Sequence, residues 1–184
     1  MGLVSDGLDR AVQKAFTRPT PKSAGAQMRY LVKQLKGTRQ VAALLGVSQR
    51  TVERYVKDQI RRPRPDLAGR LADAVRARWQ PRVREQARRQ AAASTGIMID
   101  TRARFGFTAA PGTTDDARIR HLTLALPPAY AARLFDAQQA GASEQQLRAI
   151  TAEGLGEVYF RDNGRRAHGL EVEFTDVEQL DFDL

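Results

Sequence analysis

The chain has 184 residues, 42% hydrophobic and 28% charged, with 30 Lys+Arg against 21 Asp+Glu and a net charge of +9. That is room for one ordinary domain or two small ones with a real core, and the basicity points to a polyanionic partner. With no cysteine and two histidines, His121 and His168, disulfides, thiolate zinc sites, iron–sulfur clusters and thiol catalysis are excluded, and little remains for a Ser–His–Asp triad. No apolar run approaches a membrane span and no apolar signal core opens the chain. Met1-Gly2 is followed by Asp6, where a myristoylation site wants Ser or Thr. No membrane contact is expected.

Charge divides the chain. Residues 1–91 hold 21 Lys/Arg and 7 Asp/Glu, a net of +14; residues 92–184 hold 9 and 14, a net of −5. This predicts a basic, all-helical unit over 1–91 and a second unit over 92–184, parted at the small polar run 90–96. In the first, Met28, Leu31, Val32 and Leu35 share a helix face that Gly37 closes. From Asp66 onward, Leu67, Leu71, Val75, Trp79, Val83 and Ala87 recur every four residues among many arginines. Pro81 should kink or split that pattern. The basic surface reads equally as a solvated face or as one lying along phosphates.

The stretch Thr38–Val56 carries the most information. Thr38 reads as the cap of a short helix. Ala42 is small where two helices approach, Gly46 permits a turn with positive φ, and Ser48 caps the next helix. Val41, Leu45, Val47, Val52 and Tyr55 supply the apolar interior of a helix-turn-helix over 38–57. Gln49, Arg50, Thr51, Arg54 and Lys57 are then left on the outer face of its second helix. There Gln can pair with adenine and Arg with guanine in the major groove. Arg61, Arg62 and Arg64 follow, suited to phosphates or a minor groove, and they also resemble a short nuclear import signal. Such patterns occur in helical cores that never touch DNA; the basic second helix favours binding here.

Beyond residue 96 the period changes to two. Ile97–Asp100, Arg104–Thr108, Ile119–Leu126 and Leu170–Phe174 read as half-buried strands, with a further strand near Leu180. Pro127–Ala140 and Glu144–Phe160 read as helices, the second opened by a Ser143–Gln146 capping box. Asn163-Gly164 signals a turn. The fold class is α+β: an all-helical helix-turn-helix domain, then a small α+β domain ordered β-β-β-α-α-β. Asp100, Asp115 and Asp116 lack the defined spacing of a nuclease metal site, so no metal is assigned. His121 and His168 read as structural or exposed. Glu171, Glu173, Asp176, Glu178, Asp181 and Asp183 make an acidic alternation, either an exposed strand face or a surface for basic partners.

The opening run 2–10, the region 25–57, the run Gly96–Thr101, the loop Pro111–Asp116 and the stretch Gly169–Leu184 together resemble the telomere-associated terminal proteins of Streptomyces linear chromosomes and plasmids, over the whole chain. The resemblance implies a protein covalently attached to the 5′ ends of linear DNA that primes the patching of recessed ends. It implies as partners telomeric DNA (a single-stranded 3′ overhang, duplex, or both), a DNA polymerase and a larger telomere-binding protein. It places the chain in the bacterial cytoplasm, with the nucleoid at chromosome ends. It makes Thr114 the acceptor of the first nucleotide, with Thr113 the runner-up. The residues fit that role: Pro-Gly turn chemistry between two predicted strands suits an exposed loop. Asp115 and Asp116 beside the hydroxyl could imitate primer phosphates or approach polymerase metals. No cofactor is intrinsic, magnesium being expected from the polymerase, and the chain acts as a primer rather than an independent enzyme. The hydroxyls of Tyr30, Tyr55, Tyr130 and Tyr159 rank below Thr114. The alternative is a helix-turn-helix transcription regulator that binds duplex DNA reversibly.

Overall fold

The computed structural model describes residues 2–108, 118–161 and 171–184. The chain is α+β, with helices α1 (Leu3–Lys14), α2 (Ala24–Leu35), α3 (Thr38–Leu45), α4 (Gln49–Val56), α5 (Pro65–Arg78), α6 (Pro81–Gln90), α7 (Pro128–Gln139) and α8 (Glu144–Leu155). Three strands, β1 (Ile97–Thr108), β2 (Arg118–Leu126) and β3 (Glu171–Asp183), form an antiparallel sheet in the order β2-β1-β3. Single π-helical turns follow α6 at Ala91–Thr95 and α8 at Gly156–Phe160.

Two compact units result, and they do not part at 91/92. One is Thr17–Pro81; the other joins Met1–Phe16 to Arg82–Leu184. The physical reason lies in α1. Its apolar face (Val4, Leu8, Ala11, Val12) is buried in the same core as Ile97, Ile99, Phe105, Leu122, Leu180 and Phe182. Glu144 accepts from the α1 backbone N–H groups of Val4 (2.8 Å) and Ser5 (3.4 Å), answering donors that have no partner within the helix. Arg10 and Lys14 donate to the carbonyls of Leu180 and Phe182 on β3. From α6, Arg84 and Arg88 converge on Asp9 at 3.2 and 3.8 Å. Burial, with Arg84 beside it, lowers the Arg88 pKa from its ordinary value against the pull of Asp9. The charge split sharpens accordingly. Residues 17–81 hold 15 Lys/Arg against 4 Asp/Glu, a net of +11, and the remainder is slightly acidic.

In the α+β unit, β1 turns Ile97, Ile99, Thr101, Ala103 and Phe105 inward, all fully buried. The two strands expected over 97–108 are one, and those expected near 170–174 and 180 are likewise one. Pairing slips between Arg102, opposite Gln179, and Arg104, opposite Thr175. Asp176 takes φ 45° in that irregularity. Across the slip β3 has two more residues than β1, an even number that leaves its alternation unreversed. The observed order is therefore β-β-α-α-β. The capping box of α8 forms as expected, Ser143 and Gln146 each satisfying the other's backbone N–H.

The helical unit packs α2 against α3, α4 and α5. Its core is Met28, Leu31, Val41, Leu45, Val52, Tyr55, Leu67, Leu71 and Val75. Pro81 splits the long apolar pattern: α5 ends at Arg78, Trp79 is extended and Gln80 has φ 45°. The ends of the unit lie side by side. Gln80 accepts from the Thr17 N–H at 3.1 Å, and Arg18 O accepts from Trp79 Nε1 and Gln80 Nε2, each at 3.1 Å. Trp79 also packs against Tyr30, with the rings tilted 60° and their centroids 4.7 Å apart.

Candidate nucleic-acid interface

Between α3 and α4 the chain stops one helix and starts the next within three residues, Gly46 to Ser48. Gly46 stops α3 with φ 63° and ψ 39°. The Val47 N–H donates back to Ala42 O at 3.0 Å, closing the helix end. A Cβ on Gly46 would meet nothing within 4 Å, so what glycine provides here is the left-handed backbone itself. Ser48 starts α4: its Oγ accepts from the Thr51 N–H at 3.2 Å. Ser48→Ala should cost about 1 kcal/mol. Fluorescence of Trp79, the one tryptophan, follows unfolding of the unit that contains it and reads that loss.

Thr38 is not a cap. It is the first residue of α3, Gly37 is the N-cap, and no side chain caps that end. Gly37 likewise stands one place beyond the left-handed residue ending α2, which is Lys36 (φ 58°).

The far end of α4 is fixed by contacts across the unit. Arg29 of α2 donates to Val56 O at 2.9 Å and pairs with Asp58 at 2.8 Å, Asp58 having φ 56°. Gly25 lies beneath this clasp, where a Cβ would fall 3.0 Å from Tyr55 O and closer still to Asp58 Oδ1. Val52 and Tyr55 are buried at 0% and 4% exposure, so α4 has one rotational setting. That setting leaves Gln49, Arg50, Arg54 and Lys57 exposed and Thr51 half-buried. Arg61, Arg62 and Arg64 are exposed on the irregular segment leading to α5. Nearby arginines are neutralised: Arg29 by Asp58, Arg70 by Asp66, Arg76 by Asp73. Among the described residues, Arg50, Arg54, Lys57, Arg61, Arg62 and Arg64 have no such carboxylate. Their charge is available to an external anion. The sequence missed two members of this site. One is Arg29, whose partner is remote in the chain; the other is Glu53, which accepts from Gln49 Nε2 at 2.9 Å.

The other expected site residues lie elsewhere. Thr113, Thr114, Asp115 and Asp116, in the connection from β1 to β2, are outside the described residues, as are His168 and the Asn163-Gly164 turn signal. Asp100 accepts from His121 Nε2 at 2.6 Å and Thr123 Oγ1 at 3.0 Å. Among the described residues no group of acids and histidines is placed to hold a metal ion. The acids of β3 are partly answered within their own unit: Asp176 by Arg104, Glu178 by Arg102, Asp181 by Arg10, Asp183 by Lys14. Of the tyrosines, Tyr55 is buried, Tyr30 donates to Arg78 O, and Tyr159 is 39% exposed.

Residues 28–76 match the helix-turn-helix family and form a DNA-binding domain of that kind, running from the middle of α2 into α5. No curated protein and no solved structure matches the chain significantly. Among the described residues no helix is long and apolar enough to cross a membrane.

Proposed function

We propose that α4 enters the major groove of duplex DNA and that Arg61, Arg62 and Arg64 hold the adjoining phosphates. The observation that carries this is the buried, clasped setting of α4 with its row of unneutralised cations outward. Phosphate neutralisation releases counterions, so affinity should fall with salt. For six to eight contacts the slope of log K against log salt is about −5 to −7. Replacing any one of Arg61, Arg62 or Arg64 with Ala should reduce that slope by about 1 without changing which sequence is preferred. A slope near zero in a fluorescence-anisotropy titration would remove the reading.

The chain as a whole is read as a DNA-end protein that serves as primer for a polymerase. What supports this is the resemblance, over the full length, to the terminal proteins of linear replicons. The hydroxyl oxygen of Thr114 attacks the α-phosphorus of an incoming deoxynucleotide. A Thr–O–P bond forms, the bond to the β-phosphate breaks, and pyrophosphate leaves; the hydroxyl proton passes to a base or water in the polymerase site. Magnesium ions supplied by the polymerase would stabilise the attacking and leaving oxygens. Asp115 and Asp116, which follow the acceptor in sequence, are read as stand-ins for primer phosphate or as approaching those metals. The +11 charge of the helical unit keeps the protein on telomeric DNA while the other unit presents the hydroxyl. A larger telomere-binding protein completes the assembly at chromosome ends. The transcription-regulator reading predicts reversible binding and no adduct. Genomic DNA extracted with and without protease separates the two. Under the priming reading, terminal restriction fragments enter a gel only after proteolysis; free entry without protease overturns it.

A further inference from the structure

The hydrogen bond from Gln49 to Glu53 decides what the Gln49 amide can say to a base. A carboxylate only accepts, so the amide must turn its nitrogen, not its oxygen, toward Glu53. Nε2 donates to Glu53 Oε1 at 2.9 Å. Of the two amide N–H groups, one is thereby occupied. What remains to face outward from exposed Gln49 is one donor and one acceptor. That pair matches the N7 acceptor and N6 amino donor of adenine. Guanine offers two acceptors, N7 and O6, on the same edge. A free Gln could answer both with its two N–H groups, but one held by Glu53 sets its carbonyl oxygen against O6.

We propose that Glu53 is a specificity-determining positioning residue: by holding one N–H of Gln49, it makes that side chain select adenine and turn guanine away. The inference rests on the reading of α4 as the helix that meets DNA. Glu53 need touch no nucleotide. Its charge, repelled by phosphate, should lower affinity for every sequence alike, and this distinguishes a merely electrostatic role from a positioning one.

Selection from a pool of random duplex DNA with the full-length protein, followed by titration of the selected duplex and its adenine-to-guanine variant, tests this. Wild type should enrich adenine at one position, and Gln49→Ala should erase that preference there. Glu53→Ala should lower the adenine-over-guanine ratio at that same position about three- to tenfold while overall affinity rises, a part of one bidentate discrimination because Gln49 itself remains. Glu53→Gln removes the charge but keeps a carbonyl that can accept the N–H; it should show the same general rise and retain more of the adenine preference. An unchanged ratio in Glu53→Ala overturns the proposal. So does an equal loss in Glu53→Ala and Glu53→Gln, or an adenine preference that survives Gln49→Ala. If wild type binds no duplex, it is the assignment of α4 to DNA that fails. Circular dichroism of each variant checks that the helices persist.

Discussion

Under the priming reading, Thr114→Ala should reduce nucleotide attachment to background while duplex binding stays within about twofold of wild type, because that reading makes one hydroxyl the sole acceptor and assigns DNA contact to the other unit. The measurement is transfer of label from a radioactive deoxynucleotide to the protein, in the presence of polymerase and telomeric template. Thr113→Ala is the companion, expected to label normally. If Thr113→Ala is silent and Thr114→Ala is not, the acceptor is the neighbouring residue. If both label fully, the hydroxyl belongs to some other residue, and peptide mapping of the product will find it. The anisotropy titration run alongside keeps the two activities apart. A primer that had lost its acceptor would still bind DNA; a protein that had merely unfolded would not.

Leu8→Ala should destabilise the α+β unit by about 2–5 kcal/mol, the range for truncating a fully buried leucine, although the residue lies in the basic half of the sequence. Leu8 is 0% exposed and packs in the core of the sheet. Trp79 belongs to the other unit, so its fluorescence transition in urea should hardly move, while circular dichroism acquires an earlier step. A shift of the Trp79 midpoint equal to that of the earlier step would mean the two units unfold as one.

How far the sequence could be read depended on the reach of each interaction. The turn of the helix-turn-helix was legible because Gly46 and Ser48 act within a few residues of themselves, and the Ser143–Gln146 box for the same reason. Gln49, Arg50, Arg54 and Lys57 were placed on the outer face of α4 by period alone, since buried Val52 and Tyr55 fix the opposite side. The membership of α1 was not legible. Its apolar stripe is plain, but the surface that stripe covers, around Leu180 and Phe182, is about as far along the chain as it can be. Continuity and charge therefore assigned α1 to the wrong neighbour, and the boundary at 91/92 followed. The strand count failed through the slip opposite Arg102, which period-two alternation reads as two strands rather than one bent strand. Arg29 carries no local signal because its value lies in holding the end of α4, remote in sequence. Glu53 is not legible because a carboxylate on the outer side of a basic helix has no evident purpose until its hydrogen bond is visible.

The helical unit leaves and re-enters its host at adjoining points, Thr17 hydrogen-bonded to Gln80 and Arg18 to Trp79. Its sequence is therefore inserted within that of the other unit rather than strung ahead of it. A protease nick at residues 16–17 would not release the DNA reader, which stays tethered through residue 81. Nor would it free the first helix, which a whole hydrophobic interior retains without a covalent bond. Trimming the chain from its start, the usual way of testing an N-terminal reader, would instead strip the α+β unit of its first helix and leave the sequence of the helix-turn-helix unit whole.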